Sequence, residues 1–95
     1  MVNIIWTEFA IEDLRLIHEY ISNDSKVYAD RFIEKIIDRA GQLKSFARSG
    51  RVVPEFNTKW IRELIEGNYR IIYTINPDNG VSIIRIHHSA RQLKL

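Results

Sequence analysis

Cysteine is absent from this chain of 95 residues, which excludes a disulfide framework and any thiolate metal site. A chain this short then depends on packing alone for its stability. Also missing is any window approaching the roughly 20 apolar residues that a bilayer span needs. The opening Met1-Val2-Asn3-Ile4-Ile5-Trp6 has no basic stretch leading into a long apolar one, so a cytoplasmic location with no membrane partner is expected. No Gly-rich phosphate loop, Ser/His/Asp signature or paired-carboxylate motif occurs. Internal repeats, low-complexity tracts and linker-like segments are absent too.

What is present favours folding. Apolar residues make up 45% and aromatics 11%, more than disordered chains carry, so burial can offset the entropy of ordering. One domain over 1–95 is the expectation. The formal net charge is only +2, but residues 1–47 hold six Lys/Arg against eight Asp/Glu, whereas 48–95 hold eight against four. A basic carboxy-terminal half suits an acidic or polyanionic partner, although an excess of this size is also common on ordinary solvated surfaces.

Ile4, Ile5 and Trp6 form a short apolar run ending at Thr7, which has helix N-cap chemistry, with Glu8 behind it where the helix dipole favours negative charge. Spacings of four and three put Ala10, Leu14, Ile17 and Ile21 on one helix face, flanked by Phe9 and Leu16, with Glu12, Asp13 and Glu19 opposite. Ser22-Asn23-Asp24-Ser25 reads as a tight link between antiparallel helices. Apolar residues from Ala29 through Phe32, Ile33, Ile36, Ile37, Ala40 and Leu43 to Phe46 then keep helical period for about five turns, up to a stop at Arg48-Ser49-Gly50.

Beyond Gly50 the period changes from 3.6 to 2, which predicts strands over Trp60 to Ile65, Tyr69 to Ile75 and Val81 to His88. Glu66-Gly67-Asn68 and Asn76-Pro77-Asp78-Asn79-Gly80 supply hairpin turns. The fold class is therefore α+β in the order β-α-α-β-β-β, a helix hairpin on one face of a mainly antiparallel sheet. The other face is expected to stay open to solvent or a partner.

Alternation along the last strand predicts Ile84 and Ile86 toward the helices, and Val81, Ile83, Arg85 and His87 outward. Arg85 and His87 would then stand roughly 7 Å apart, with Arg70 beside Ile72 and Thr74 on the same outward face. Guanidinium groups near an imidazole suit phosphate binding and proton transfer. Glu55, just after Pro54, is placed to act as a general base, completing what a metal-free ribonuclease needs. The plainer reading makes Arg70 and Arg85 solvated charges, and Glu55 a loop carboxylate paired with Arg51 or Arg62. His87 and His88 leave opposite faces of a strand, so no metal site is expected. His18 reads as a surface or core-edge residue, and Tyr69 and Tyr73 as core partners of Ile71 and Ile75.

Several fragments taken in order carry a resemblance. They are Trp6-Thr7-Glu8-Phe9-Ala10, Asp13-Leu14, Tyr20-Ile21, Gly50-Arg51-Val52-Val53-Pro54-Glu55, Arg62-Glu63-Leu64, Asn68-Tyr69-Arg70-Ile71-Ile72-Tyr73 and His88-Ser89-Ala90-Arg91. From end to end the chain resembles the ParE/RelE superfamily, the toxin half of bacterial type II toxin–antitoxin pairs, whose fold has the element order above. The Gly-Arg-x-x-Pro-Glu loop, the Arg-Glu-Leu strand and the closing His-x-x-Arg are closer to the ParE branch, which implies growth arrest through DNA gyrase. The RelE/YoeB branch implies ribosome-dependent cleavage of messenger RNA, with Glu55, Arg70 and His87 falling on catalytic positions. His88 stands where a tyrosine is expected there, and RelE's lysine-rich patch has no counterpart. A third implication is an inactive relative that only binds antitoxin.

Under all three the resemblance implies no cofactor and a hetero-oligomer with a cognate antitoxin, whose amphipathic segment lies along the hairpin or sheet. Antitoxin contacts are expected at Leu14, Ile17, Phe32 and Ile36. Contacts to gyrase, or to the ribosome and its message, are expected at Arg70, Arg85, His88 and Arg91.

Overall fold

The computed structural model describes residues 2–93. Strand β1 (Ile4–Trp6) leads into helix α1 (Glu8–Ser22) through Thr7. The Thr7 hydroxyl accepts the Ala10 N–H at 3.2 Å and donates to the Ile83 carbonyl at 2.8 Å. One residue thus caps the helix and ties it to the sheet. Ser25 repeats the capping at helix α2 (Lys26–Gly41), accepting the Tyr28 N–H at 3.1 Å. The helix ends five residues short of the expected Phe46: Gln42–Lys44 tightens into a 3₁₀ turn, and Phe46 is left exposed.

Four strands follow rather than the expected three. They are β2 (Arg51–Val52), β3 (Ile61–Glu66), β4 (Tyr69–Ile75) and β5 (Val81–His88). The five strands lie in the order β1-β5-β4-β3-β2, with β1 parallel to β5 and every other pair antiparallel. β2 is two residues long, too short for alternation to reveal.

The main core lies between hairpin and sheet. Ala10, Ile17, Phe32, Ile36 and Leu43 pack onto Leu64, Ile71, Tyr73, Val81, Ile83 and Ile86. Tyr69 packs against the same core, so Tyr69, Ile71, Tyr73 and Ile75 share the helix-facing side as their alternation predicts. Tyr73 also bridges the connection from the helices: its hydroxyl donates to the Ala47 carbonyl at 2.8 Å and accepts the Gly50 N–H at 2.9 Å. Gly50 is required there, since a Cβ would fall 2.5 Å from that hydroxyl oxygen and 2.6 Å from the Glu63 carbonyl oxygen.

The opposite face is not open, which corrects the expectation from two-layer packing. Ile72 points there, and Val53 and Leu93 cover it completely, with Phe56, Ile61 and Ile84 packed around them. An apolar side chain at the centre of the sheet must be shielded from water on whichever side it emerges, so the segment after β2 and the end of the described chain fold across it.

The assignment of β5 side chains to faces also needs correction. Tyr73 pairs with Ile83 and Ile72 with Arg85, leaving Ile84 as an extra, unpaired residue. This bulge reverses the alternation. Val81 and Ile83 therefore join the helix-facing core with Ile86, while Ile84 goes to the far face. Arg85 does not project outward beside His87 but makes two hydrogen bonds to the Asp13 carboxylate on α1, at 2.8 and 3.1 Å. Asp13, expected on the solvent side of α1, has only 12% of its side chain exposed, and it also accepts the Ile86 N–H at 2.9 Å.

Candidate functional site

Two regions gather the residues singled out from the sequence. The first lies on the far face of the sheet. Val53 anchors a tight loop by donating to the Ile61 carbonyl and accepting from Phe56 and Asn57. Asn57 has φ 47°, a left-handed conformation that asparagine tolerates better than most residues. The turn places Glu55 over β4, where its two oxygens meet Arg70 Nη1 and Nη2 at 2.6 and 2.7 Å. Arg70 Nε donates to Glu63 Oε1 at 2.5 Å, and the other Glu63 oxygen accepts from Arg51 Nε at 2.6 Å. Two arginines and two glutamates thus alternate in one charge-assisted chain. Its centre is dry: the side chain of Glu63 is fully buried and that of Arg70 is 8% exposed.

The electrostatics follow from this geometry. Hydrogen bonds from Arg70, with further help from backbone donors, hold the Glu55 carboxyl down at about 2. The Arg70 guanidinium, chiefly through Glu55, binds its proton still more firmly than a free arginine does. His87 is the register partner of Arg70 across β4 and β5. Its Nε2 hydrogen-bonds to the Arg91 carbonyl at 3.0 Å rather than to Glu55 or Arg70. The structure therefore brings Glu55 to Arg70 with His87 as the cross-strand partner of Arg70, but it takes Arg85, expected beside them, to Asp13. Glu55 pairs with Arg70, not with Arg51 or Arg62. Arg70 is interred instead of solvated. Glu63 is not among the site residues expected from the sequence, yet a lone acid between Ile61 and Ile65 on a strand beside Arg70 is a readable signal for an internal charge pair.

The second region is a groove of about 770 Å³ between the hairpin and the ends of β4 and β5, lined among others by Tyr20, Tyr28, Tyr69, His88 and Arg91. Its wall is a run of rings. Tyr28 stacks on Phe32 at 6.2 Å between centroids, Phe32 tilts against Tyr69 at 5.6 Å, and Tyr69 meets the His88 ring edge-on at 5.1 Å. β5 has a free edge here, because β1 stops at the Trp6–Ile83 pair. His88 and exposed Arg91 stand together at this groove, away from Arg70.

The four hairpin residues expected to contact an antitoxin are turned toward the core. Ile36 is fully buried, Leu14 packs against the core, and Ile17 and Phe32 are core residues that reach only the floor of the groove. These positions lie on the stripe that the helix needs to bind its own sheet. The large apolar side chains that the hairpin does offer to solvent are Phe9, Ile11, Leu16, Tyr20, Val27, Tyr28 and Ile37. They interrupt the polar side of each helix and so stand out only once the inward face is known. Among the described residues, no three His, Asp or Glu side chains cluster as a metal site requires, and no helix is long and apolar enough to cross a membrane.

Comparison with known proteins agrees with this architecture. Residues 4–93 match the family model described as the ParE toxin of the type II toxin–antitoxin system, parDE. Toxin RelE2 of Caulobacter vibrioides is 32% identical over 91 residues, covering 96% of this chain and 99% of that protein. Among solved structures, the chromosomal ParDE toxin–antitoxin system from P. aeruginosa superposes with a TM-score of 0.76 at 22% identity, covering 93% of this chain and 96% of that one. The toxin–antitoxin complex RelBE2 from Mycobacterium tuberculosis gives 0.65 at 19% identity, with 92% and 96% covered. At these identities the two structures establish a shared fold.

Proposed function

The chain belongs to the ParE toxin family of type II toxin–antitoxin systems, and from that premise we propose that it arrests growth by inhibiting DNA gyrase rather than by cutting messenger RNA. The observation that carries this reading is the state of Arg70. All three of its guanidinium nitrogens are engaged by carboxylates, on a side chain almost wholly out of water. A ribonuclease would need that cation free for a phosphate and a base that titrates near the working pH. Glu55, held down at about 2, is a weak base at neutrality.

Restraint of the toxin falls to an antitoxin whose amphipathic segment lies in the aromatic groove beside the free edge of β5. Tyr20, Tyr28 and Leu16 offer it apolar contacts, and His88 and Arg91 polar ones. The alternative is a ribosome-dependent endoribonuclease. Support for it comes from the shared face of Glu55, Arg70 and His87.

Three measurements separate these readings. Expression of the chain stops growth, and the purified protein inhibits gyrase supercoiling in vitro while leaving messages on translating ribosomes intact. Glu55→Gln and His87→Ala keep the growth arrest. Loss of arrest in both variants, with cleaved messages from the parent protein, would transfer the assignment to the nuclease. Unimpaired growth on expression would leave only antitoxin binding.

A further inference from the structure

Beyond the groove and the charge chain, the described residues concentrate positive charge at one corner of the sheet. Lys59 and Trp60 lead into β3, and Arg48 lies in the connection that precedes β2. The Trp60 indole is 48% exposed and flanked by cations, with Lys59 Nζ 5.0 Å and the Arg48 guanidinium carbon 5.9 Å from the ring centre. Arg62 fixes the corner from beneath: Nε donates to the Lys59 carbonyl at 3.0 Å, and Nη1 to the carbonyls of Arg48 at 3.2 Å and Gly50 at 3.0 Å. None of these three cations is among the ion pairs formed by the described residues. The fold thus binds Arg62 by its donors without neutralising it. Arg48 and Lys59, for want of an anion, rest against an aromatic face.

Trp60 has a second neighbour. With Ile75 and Pro77 it lines an open apolar cup of about 490 Å³. Uncompensated cations beside a cup whose one polar side-chain group is the Trp60 indole N–H define the chemistry of an occupant. A nucleobase would bring donors and acceptors along its edges, and inside the cup most of them would go unpaired. An aliphatic or aromatic side chain would not. The cations require negative charge on either side of it, and carboxylates meet that requirement.

We propose that the Arg48–Lys59–Trp60–Arg62 corner binds an acidic peptide segment of a partner protein, seating one apolar side chain of that segment in the Trp60–Ile75–Pro77 cup. Opposite charge steers the encounter and sets the direction of the peptide, and the buried side chain anchors it.

The test uses the full chain labelled with ¹⁵N, following the Trp60 indole N–H, which a Trp6→Phe variant distinguishes from the other indole. The probes are a short peptide of aspartates and glutamates around one leucine, the same peptide with serine in place of leucine, and an oligothymidylate of equal charge. The leucine peptide moves the Trp60 signal saturably. The serine peptide binds at least threefold more weakly. The doubly reversed variant Arg48→Glu/Lys59→Glu, altered only at exposed side chains, keeps a dispersed spectrum and binds at least tenfold more weakly. Four results would each overturn the proposal: no saturable shift with the leucine peptide, equal binding of the serine peptide, undiminished binding by the charge-reversed variant, or an oligonucleotide as effective as the peptide. The last would make the corner a nucleic-acid site.

Discussion

Arg70 offers a direct measure of how far the buried charge chain holds this protein together. Replacing it with methionine keeps most of the side-chain volume but leaves Glu63, wholly out of water, with only the exposed Arg51 as partner. Removing one member of a buried ion pair typically costs about 3–5 kcal/mol, because the remaining charge is stranded. A chain of 95 residues has a total stability of roughly 5–14 kcal/mol at typical values per residue. Arg70→Met should therefore remove a large part of it and lower Tm by about 12–40 °C, at 4–8 °C per kcal/mol. The double variant Glu63→Leu/Arg70→Met takes both charges out together and should recover at least about 2 kcal/mol, since an apolar replacement of a whole pair is close to neutral. The partners left behind, Arg51 and Glu55, have side chains 62% and 40% exposed and can return to water. Urea and thermal unfolding of parent, single and double variants decide the matter. A single variant within about 1 kcal/mol of the parent, or a double variant less stable than Arg70→Met, would refute the account. The same numbers bear on function, because loss of growth arrest on mutating Arg70 reports unfolding unless the variant is shown to be folded.

Other consequences are open to measurement. Tyr73→Phe leaves the Gly50 N–H and the Ala47 carbonyl without their partner and should cost about 1–3 kcal/mol in urea unfolding. Gly50→Ala forces a Cβ against the same hydroxyl and should cost about as much through overpacking. A Gly50→Ala variant as stable as the parent would mean that the connection can shift. Asp13→Ala strands the Ile86 N–H and releases Arg85, so amide exchange at Ile86 should accelerate at least tenfold, while exchange at Leu64 stays slow. On acidification the sign is set by Glu55, whose carboxyl in the folded chain lies below its ordinary value of 4.5, at about 2. Its stabilising contribution is complete above about 4.5 and is lost as pH falls toward 2. Glu55→Gln should flatten the stability profile over that interval and lower stability near neutrality, where the contribution of the carboxylate is complete.

How much of this could be read from the chain depended on the range of the forces involved. Helix caps at Thr7 and Ser25, the link between the helices and the three long strands rest on local chemistry, and the element order follows from them. Side-chain direction on β5 could not be obtained in the same way. A period of two presumes an unbroken ladder, and the extra residue at Ile84 shows only in the register between β4 and β5. The covered far face is not legible in the sequence, because two layers suffice to bury the helices, whereas Ile72 demands a cover that Val53 and Leu93 bring from distant parts of the chain. In the candidate site, the shared face of Arg70 and His87 was legible from alternation. The saturation of Arg70 was not, since it depends on the acid at Glu63 and on the turn that swings Glu55 inward. On the hairpin, Leu14, Ile17, Phe32 and Ile36 form the inward stripe, which amphipathic pattern identifies readily without saying what covers it.

The parallel pairing of β1 with β5 also sets an order of events during synthesis. Thr7 bonds to a carbonyl 76 residues further on, and at roughly 5–20 residues per second that carbonyl is made about 4–15 s later. Until then Ile4, Ile5 and Trp6 have no neighbour to complete their hydrogen bonds, although the two helices can already pair beside them. A nascent molecule therefore waits with its first strand idle, and the sheet closes only after its last strand has been made and released to pair with it.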